Sequence, residues 1–326
     1  MPHPDPFALR ELLGDHAAPC RRALGGQAGV SLPALTDHHV HLHLIDETRL
    51  PDGGIAAVLD LGGDPAALAR RRHAGMPHVA YAGAFLTAPG GYPSGRSWAP
   101  DAIVRIVSDP STHPGVPGGA ATAVDEQATF GASVIKVALN SAAGPVLDRR
   151  TIAAIVECAH ARHLPVVAHV EGAGMARAAM DAGVDALAHT PFSEVLPAEL
   201  VARAARRGDV WISTLDIHFG GEAQEVARAN LAAFAGAGGR VLYGTDLGNG
   251  DLPLGVNTGE LAALDAAGVR GAALITALTD PWPLPEVTAA VSTFVPGPPP
   301  GGLDDIPAWL AGAVVVPTEE LIHDEP

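Results

Sequence analysis

The chain has 326 residues, 48% of them apolar, a net charge of −16 and no basic run longer than Arg70-Arg71-Arg72. That length is ample for a sizeable core, and the acidic balance argues against a nucleic-acid partner, leaving a small-molecule substrate as the expectation. The N-terminus "MPHPDPFALRELLGDH" has neither the basic start nor the apolar run of a secretory signal, and the apolar segments break before reaching a spanning length. A cytoplasmic protein without a membrane partner is therefore expected, and a homo-oligomer is compatible with the sequence. Cys20 and Cys158 form neither a metal spacing nor a disulfide framework.

Taken in chain order, eight short β-branched runs are predicted as strands: 33–40, 55–62, 78–86, 133–139, 165–170, 186–190, 210–215 and 241–246. Ala-rich helical patterns separate them, among them "DPAALARRRHAG", "DRRTIAAIVECAHARH", "GMARAAMDAG", "PAELVARAARRG" and "EAQEVARANLAAFAGAG". Several begin after Asp or Pro and stop at Gly, as helix boundaries should. The Arg triplet reads as the solvated face of the first of these helices. Apolar strands followed by amphipathic helices are the signature of βα units on a parallel sheet, and eight of them imply an α/β fold of the (β/α)8 TIM-barrel kind. A doubly wound sheet would want a glycine-rich phosphate loop after its first strand, where this chain has histidines instead.

Residues 87–121 form a long Pro/Gly-rich excursion after the third strand, with a short helix expected near Asp101–Val107; a βα loop of this length is usually functional. The predicted organisation is an N-terminal lead-in at 1–32, the barrel at 33–280, and an extension at 281–326 packing on it. A separate flanking β-sandwich is expected to be absent.

Two features carry the chemistry. The first is that Lys136 is the only lysine among 20 basic residues, in a composition rich in Ala, Gly, Pro and Arg that suggests a GC-rich coding bias. A neutral primary amine can add carbon dioxide or form a Schiff base, which a guanidinium does not readily do; composition alone leaves chance open. The second is "TDHHVHLHL" at 36–44. Strand alternation places Asp37, His39 and His41 on one face and His38 on the other. In a (β/α)8 enzyme the reacting side chains come from the C-terminal strand ends. In order, those ends carry Asp37, His39 and His41, then Lys136, His169, His189 and Asp246. Histidines, a lysine and an aspartate converging from five strands read as metal ligands, although any one histidine alone would more often be a hydrogen-bonded core or rim residue.

This pattern, Asp-x-His-x-His, Lys, His, His and Asp over about residues 33–280, resembles the amidohydrolase superfamily. "GAFLTAPGGYP" and "GTDLGNG" are most similar to its imidazolonepropionase-like and Xaa-Pro dipeptidase-like branch. The resemblance implies two divalent ions bridged by a carboxylated Lys136, one held by His39, His41 and Asp246 and the other by His169 and His189. Zinc suits this donor set, with manganese, iron or cobalt as alternatives. It also implies a bridging hydroxide as nucleophile and Asp246 as both ligand and general base. The implied reaction is hydrolysis of an amide-type C–N bond, in a cyclic amide or an N-acyl or peptidyl amino acid. A lactone or phosphotriester on the same centre is the near alternative. A deaminase, an isomerase or lyase, and a non-catalytic metal-binding protein stand further off.

Asp37 and His43 are read as support around the ligands. Candidate substrate contacts are Tyr92, Arg96 and Trp98 in the long loop, His218 after the seventh strand, and Asn249 after the eighth. Arg96 could pair with a substrate carboxylate or simply be a solvated rim residue. His73, His78, His113, His160 and His163 are given no role.

Overall fold

The alternation of β-branched runs with Ala-rich helices is realised along most of the chain. The computed structural model describes residues 5–71, 77–218, 220–283 and 290–323; Arg72 and His73 of the expected second-unit helix lie outside them. Strands β1 (Ala18–Arg22) and β2 (Ala28–Pro33) come first, followed by β3 (Leu35–Val40), β4 (Ile55–Asp60), β5 (His78–Tyr81), β6 (Phe85–Thr87) and β7 (Val104–Ile106). Next come β8 (Ile135–Asn140), β9 (Val166–Glu171), β10 (Ala186–Leu187), β11 (Val210–Ile212) and β12 (Arg240–Leu242). The last three are β13 (Val291–Pro296), β14 (Val314–Pro317) and β15 (Leu321–His323). Helices fall between the parallel strands where the sequence placed them, including Arg149–His160, Met175–Asp181, Ala198–Arg207 and Glu222–Gly236. Asp148 caps the first of these, accepting from the Thr151 N–H at 2.7 Å.

The parallel strands form a seven-stranded sheet, β12-β11-β10-β9-β8-β6-β7, and a three-stranded one, β3-β4-β5. The two are joined at both ends. The predicted third strand breaks after Tyr81 and resumes as β6; its first part pairs with β4 and its second with β8. At the other end His38 N–H donates to Tyr243 O (3.0 Å), His41 N–H to Leu247 O (2.8 Å) and Leu247 N–H to His39 O (3.2 Å). An α/β fold so connected fits a (β/α)8-like barrel. Leu59, Val134, Val167, Ala186, Ile212 and Leu242 make one buried cluster, and a larger one lies between strands and helices. The period of two then carries the first cluster's face onward from Val134 to Lys136 and from Val167 to His169 and Glu171.

Two expectations are corrected. The segment near Asp101–Val107 is a single 3-10 turn, Asp101–Ile103, followed by β7, because Val104 and Ile106 flank Arg105 in an alternation that pairs in parallel with Phe85–Thr87. The terminal segments do build a sheet of their own: five antiparallel strands in the order β14-β13-β2-β1-β15. Phe294 opposite Ser31 and Thr293 opposite Leu32 set the central register, and Cys20, Phe294, Val316 and Leu321 cluster against it. Partners more than 250 residues apart leave no local periodicity to read. Among the described residues no helix is long and apolar enough to cross a membrane.

Candidate metal centre

The strand ends bring His39, His41 and Asp246 together, with one donor atom of each within 4.8 Å of the others. His39 Nε2 lies 3.1 Å and His41 Nε2 3.2 Å from Asp246 Oδ1. Each imidazole is aimed by its other nitrogen, Nδ1, which faces Ala188 O at 2.7 Å in His39 and Gly62 O at 3.2 Å in His41. Carbonyl acceptors there fix the tautomer that leaves Nε2 as a free lone pair, as a metal ligand requires. His189 packs against His39 with ring centroids 4.6 Å apart, and His169 stands perpendicular to His189 at 4.9 Å. Thr214 Oγ1 sits 2.9 Å from His189 Nδ1.

Local backbone geometry makes this convergence possible. Asp246 and Thr214 adopt left-handed conformations, φ 57° and 45°, which turn their side chains away from the direction an extended strand would give. Gly244 is required beside them: a Cβ there would meet Ile212 Cγ2 at 2.3 Å and His39 Cβ at 3.2 Å. The "GTD" of the sequence is therefore a close strand contact followed by a strained aspartate.

Lys136 rises from β8 into the floor of the site, 1% exposed, its Nζ 5.7 Å from the Phe85 ring centroid. Both its Nζ and Asp246 Oδ1 are buried without a hydrogen-bond partner. Burial pushes the Lys136 amine down to about 7. Burial also keeps His39 and His189 well below the ordinary imidazole value, and lowers His169. For Asp246 burial works the other way, but the imidazoles of His39, His41 and His189 outweigh it and hold the carboxyl well below its usual range. Neutral imidazoles, an ionised carboxylate and a deprotonatable amine fit a divalent cation. Orphaned buried polar atoms are what a missing ionic partner would leave.

These groups open into a cavity of about 190 Å³ lined by Phe85, Tyr92, Glu171, Phe192, Ile217, His218 and Asn249 above the candidate ligands. Tyr92 stacks on His169 with centroids 5.0 Å apart, and burial raises its phenol. Asn249 Nδ2 donates to Asp246 Oδ2 at 2.8 Å. Trp98 stands 6.0 Å from the rings of both His41 and Tyr92. Arg96 is exposed, its guanidinium 5.9 Å over Tyr92 and outside the lining. His43 is exposed too, its Nε2 3.4 Å from Trp98 O.

Asp37 does not reach the cavity. Its carboxylate accepts from His39 N–H (3.1 Å), Thr245 N–H (3.1 Å) and the Thr245 hydroxyl (2.5 Å), tying the first strand end to the last. His38 points to the opposite face, its ring nitrogens 2.8 Å from Tyr243 O and 3.0 Å from Asp280 O. Glu171, Phe85, Phe192 and Ile217 were not singled out from the sequence. Glu171 was within reach of it, being two residues beyond His169 and so on the same face; Thr214 was not, because its placement rests on a φ no pattern announces.

The sequence matches no family model and no curated protein. Solved structures do resemble the fold. Ochratoxinase from A. niger has a TM-score of 0.68 at 20% identity, covering 87% of this chain and 80% of its own. A Xaa-Pro dipeptidase with methionine bound in its active site has 0.68 at 18%, covering 90% and 87%. A putative prolidase from Bifidobacterium longum has 0.67 at 21%, covering 90% and 80%. At these identities the likeness is one of fold, and it is consistent with the amidohydrolase superfamily that the strand-end motif resembles.

Proposed function

We propose that this chain is an amidohydrolase-type enzyme that hydrolyses an amide-type C–N bond, in a cyclic amide or an N-acyl or peptidyl amino acid, at a binuclear centre in a closed (β/α)8 barrel. The observation that carries the reading is Lys136: a sole lysine, fully buried among histidines, without a partner, and with an amine near neutrality at about 7. Such an amine adds carbon dioxide, releasing a proton and becoming a carbamate with two oxygen donors and a negative charge. His39, His41 and Asp246 would hold one ion, His169 and His189 the other, and carboxylated Lys136 would bridge them. Zinc suits the set, with manganese, iron or cobalt as alternatives. When bound, such ions polarise a carbonyl and lower the pKa of water.

The chain's own residues supply the rest. Asp246, its Oδ2 fixed by Asn249, takes the proton from the attacking water and returns it to the leaving nitrogen. Phe85, Tyr92 and Phe192 wall the cavity and limit bulk water, and His218 stands where it can donate to a substrate carbonyl. The solved Xaa-Pro dipeptidase and prolidase folds support the C–N assignment.

Elemental analysis of protein purified without chelator, in bicarbonate, tests this directly. Two ions per chain are expected, and Lys136→Arg should load at most one while amide hydrolysis disappears. No bound metal after reconstitution, or full activity in Lys136→Arg, overturns the reading.

A further inference from the structure

The charge of the cavity narrows the substrate beyond that reading. Lys136 and Asp246 belong to the proposed metal cluster at its floor; among the described residues that line the cavity outside that cluster, none is Lys or Arg and the one carboxylate is Glu171. Glu171 stands at the end of β9, two-thirds buried, and it is held in place: Asn140 Nδ2 donates to its Oε2 at 2.6 Å, and that oxygen lies 3.5 Å from His169 Nε2. Asn140 is itself buried and pinned, its Oδ1 accepting from Ala142 N–H at 3.1 Å. Aromatic rings line the same cavity. Tyr92 lies over His169, and Phe192 sits 4.5 Å from the His218 ring. Arg96 is exposed, its guanidinium 5.9 Å over the Tyr92 ring and outside the lining, so among the described residues a carboxylate inside the cavity would find no guanidinium there.

A carboxylate set among aromatic faces is the chemistry that recognises an ammonium or guanidinium group, by ion pairing and by cation–π attraction. We propose that the mouth formed by Glu171, Tyr92, Phe192 and His218 selects an amide carrying a cationic group on one side of its scissile bond, over neutral and anionic counterparts. This rests on the functional reading above for the word amide, and not for the charge preference.

Equilibrium binding to the metal-loaded protein separates the two. Phenyltrimethylammonium, benzyl alcohol and p-toluenesulfonate present a cation, a neutral group and an anion of similar size, and all three are poor metal ligands. Calorimetric titration should give the cation an affinity about tenfold above the alcohol, with the sulfonate weakest. Glu171→Gln should erase the preference while metal content and circular dichroism stay unchanged. Equal affinities, tighter sulfonate binding, or an unaltered preference in Glu171→Gln would defeat the proposal. Loss of a metal ion from that variant would also defeat it, by making Glu171 a ligand. Since none of the probes turns over, cation selection without any amide hydrolysis would reject the functional reading alone; hydrolysis without cation selection would reject only this inference.

Discussion

Four neighbouring residues of one strand end, Asp37, His38, His39 and His41, are all buried, yet they divide into two kinds. Asp37 takes three hydrogen bonds from Thr245 and His39, and both ring nitrogens of His38 face backbone carbonyls. Their polarity is used up inside the fold. His39 and His41 spend only Nδ1 on the fold and leave Nε2 beside an Asp246 oxygen that has no hydrogen-bond partner. Burying polar atoms unsatisfied is costly, and folded proteins mostly avoid it. The contrast therefore separates groups that hold the framework from groups kept ready for a ligand, on a single stretch of five residues.

Asp246→Asn should break the second kind with the largest effect. The amide keeps the size of the carboxylate but cannot take up a proton, so turnover should fall by roughly 10²–10⁴, the range of one general acid–base group. Its circular dichroism should match the parent. If turnover survived, the orphaned oxygen would not be the base. Asp37→Ala should do the reverse. It strips the partner from two N–H groups and a hydroxyl, and a stability loss of roughly 1–3 kcal/mol is expected in urea unfolding. Activity should fall less than in Asp246→Asn, since every proposed ligand remains. An Asp37→Ala protein as stable as the parent, yet inactive, would move Asp37 from the framework into the chemistry.

The same contrast shows how far the sequence could be read. The faces of Asp37, His38, His39 and His41 follow from period-two alternation alone, and each of the eight predicted β-branched runs holds a parallel strand, the third of them broken into β5 and β6. Lys136, His169, His189 and Asp246 were read from such runs, Lys136 and His169 lying inside β8 and β9 and His189 and Asp246 just past β10 and β12. What sequence could not carry was anything set by distant partners or unusual dihedrals. The terminal sheet pairs β2 with β13 across the whole chain, and β7 joins the parallel sheet only because Phe85–Thr87 offers it an edge. The left-handed Thr214 and Asp246 aim their side chains by strain that no residue type requires. Loop residues fared between the two: Tyr92, His218 and Asn249 line the cavity, Trp98 stands beside it, and Arg96 and His43 face solvent.

Glu260 offers the finest test of the division, because it is a buried carboxylate outside the metal cluster. It lies in the helix Thr258–Ala266, whose N-cap Asn257 also binds Asp216, and its Oε2 accepts from the Asp216 N–H at 2.7 Å. It thereby holds the turn that presents His218. Burial raises its carboxyl from 4.5 to about 7. Between those two values the folded chain keeps a proton that the unfolded chain has lost, so stability is highest below about 4.5, falls as pH rises to about 7, and is level beyond. Glu260→Gln removes that proton linkage while retaining an acceptor for Asp216. Relative to the parent, the variant should therefore gain on the order of 1–3 kcal/mol between pH 4.5 and pH 8 in thermal unfolding. Asp37, raised to about 7 by burial, leaves part of the slope in both proteins, so the difference between them is the quantity to follow. A difference that stays flat with pH would mean Glu260 is ionised in the folded chain throughout. Its burial would then have to be offset by its partners, as for Asp246, and an orphaned buried oxygen, which Glu260 Oε1 also is, would not by itself mark a group kept for a ligand.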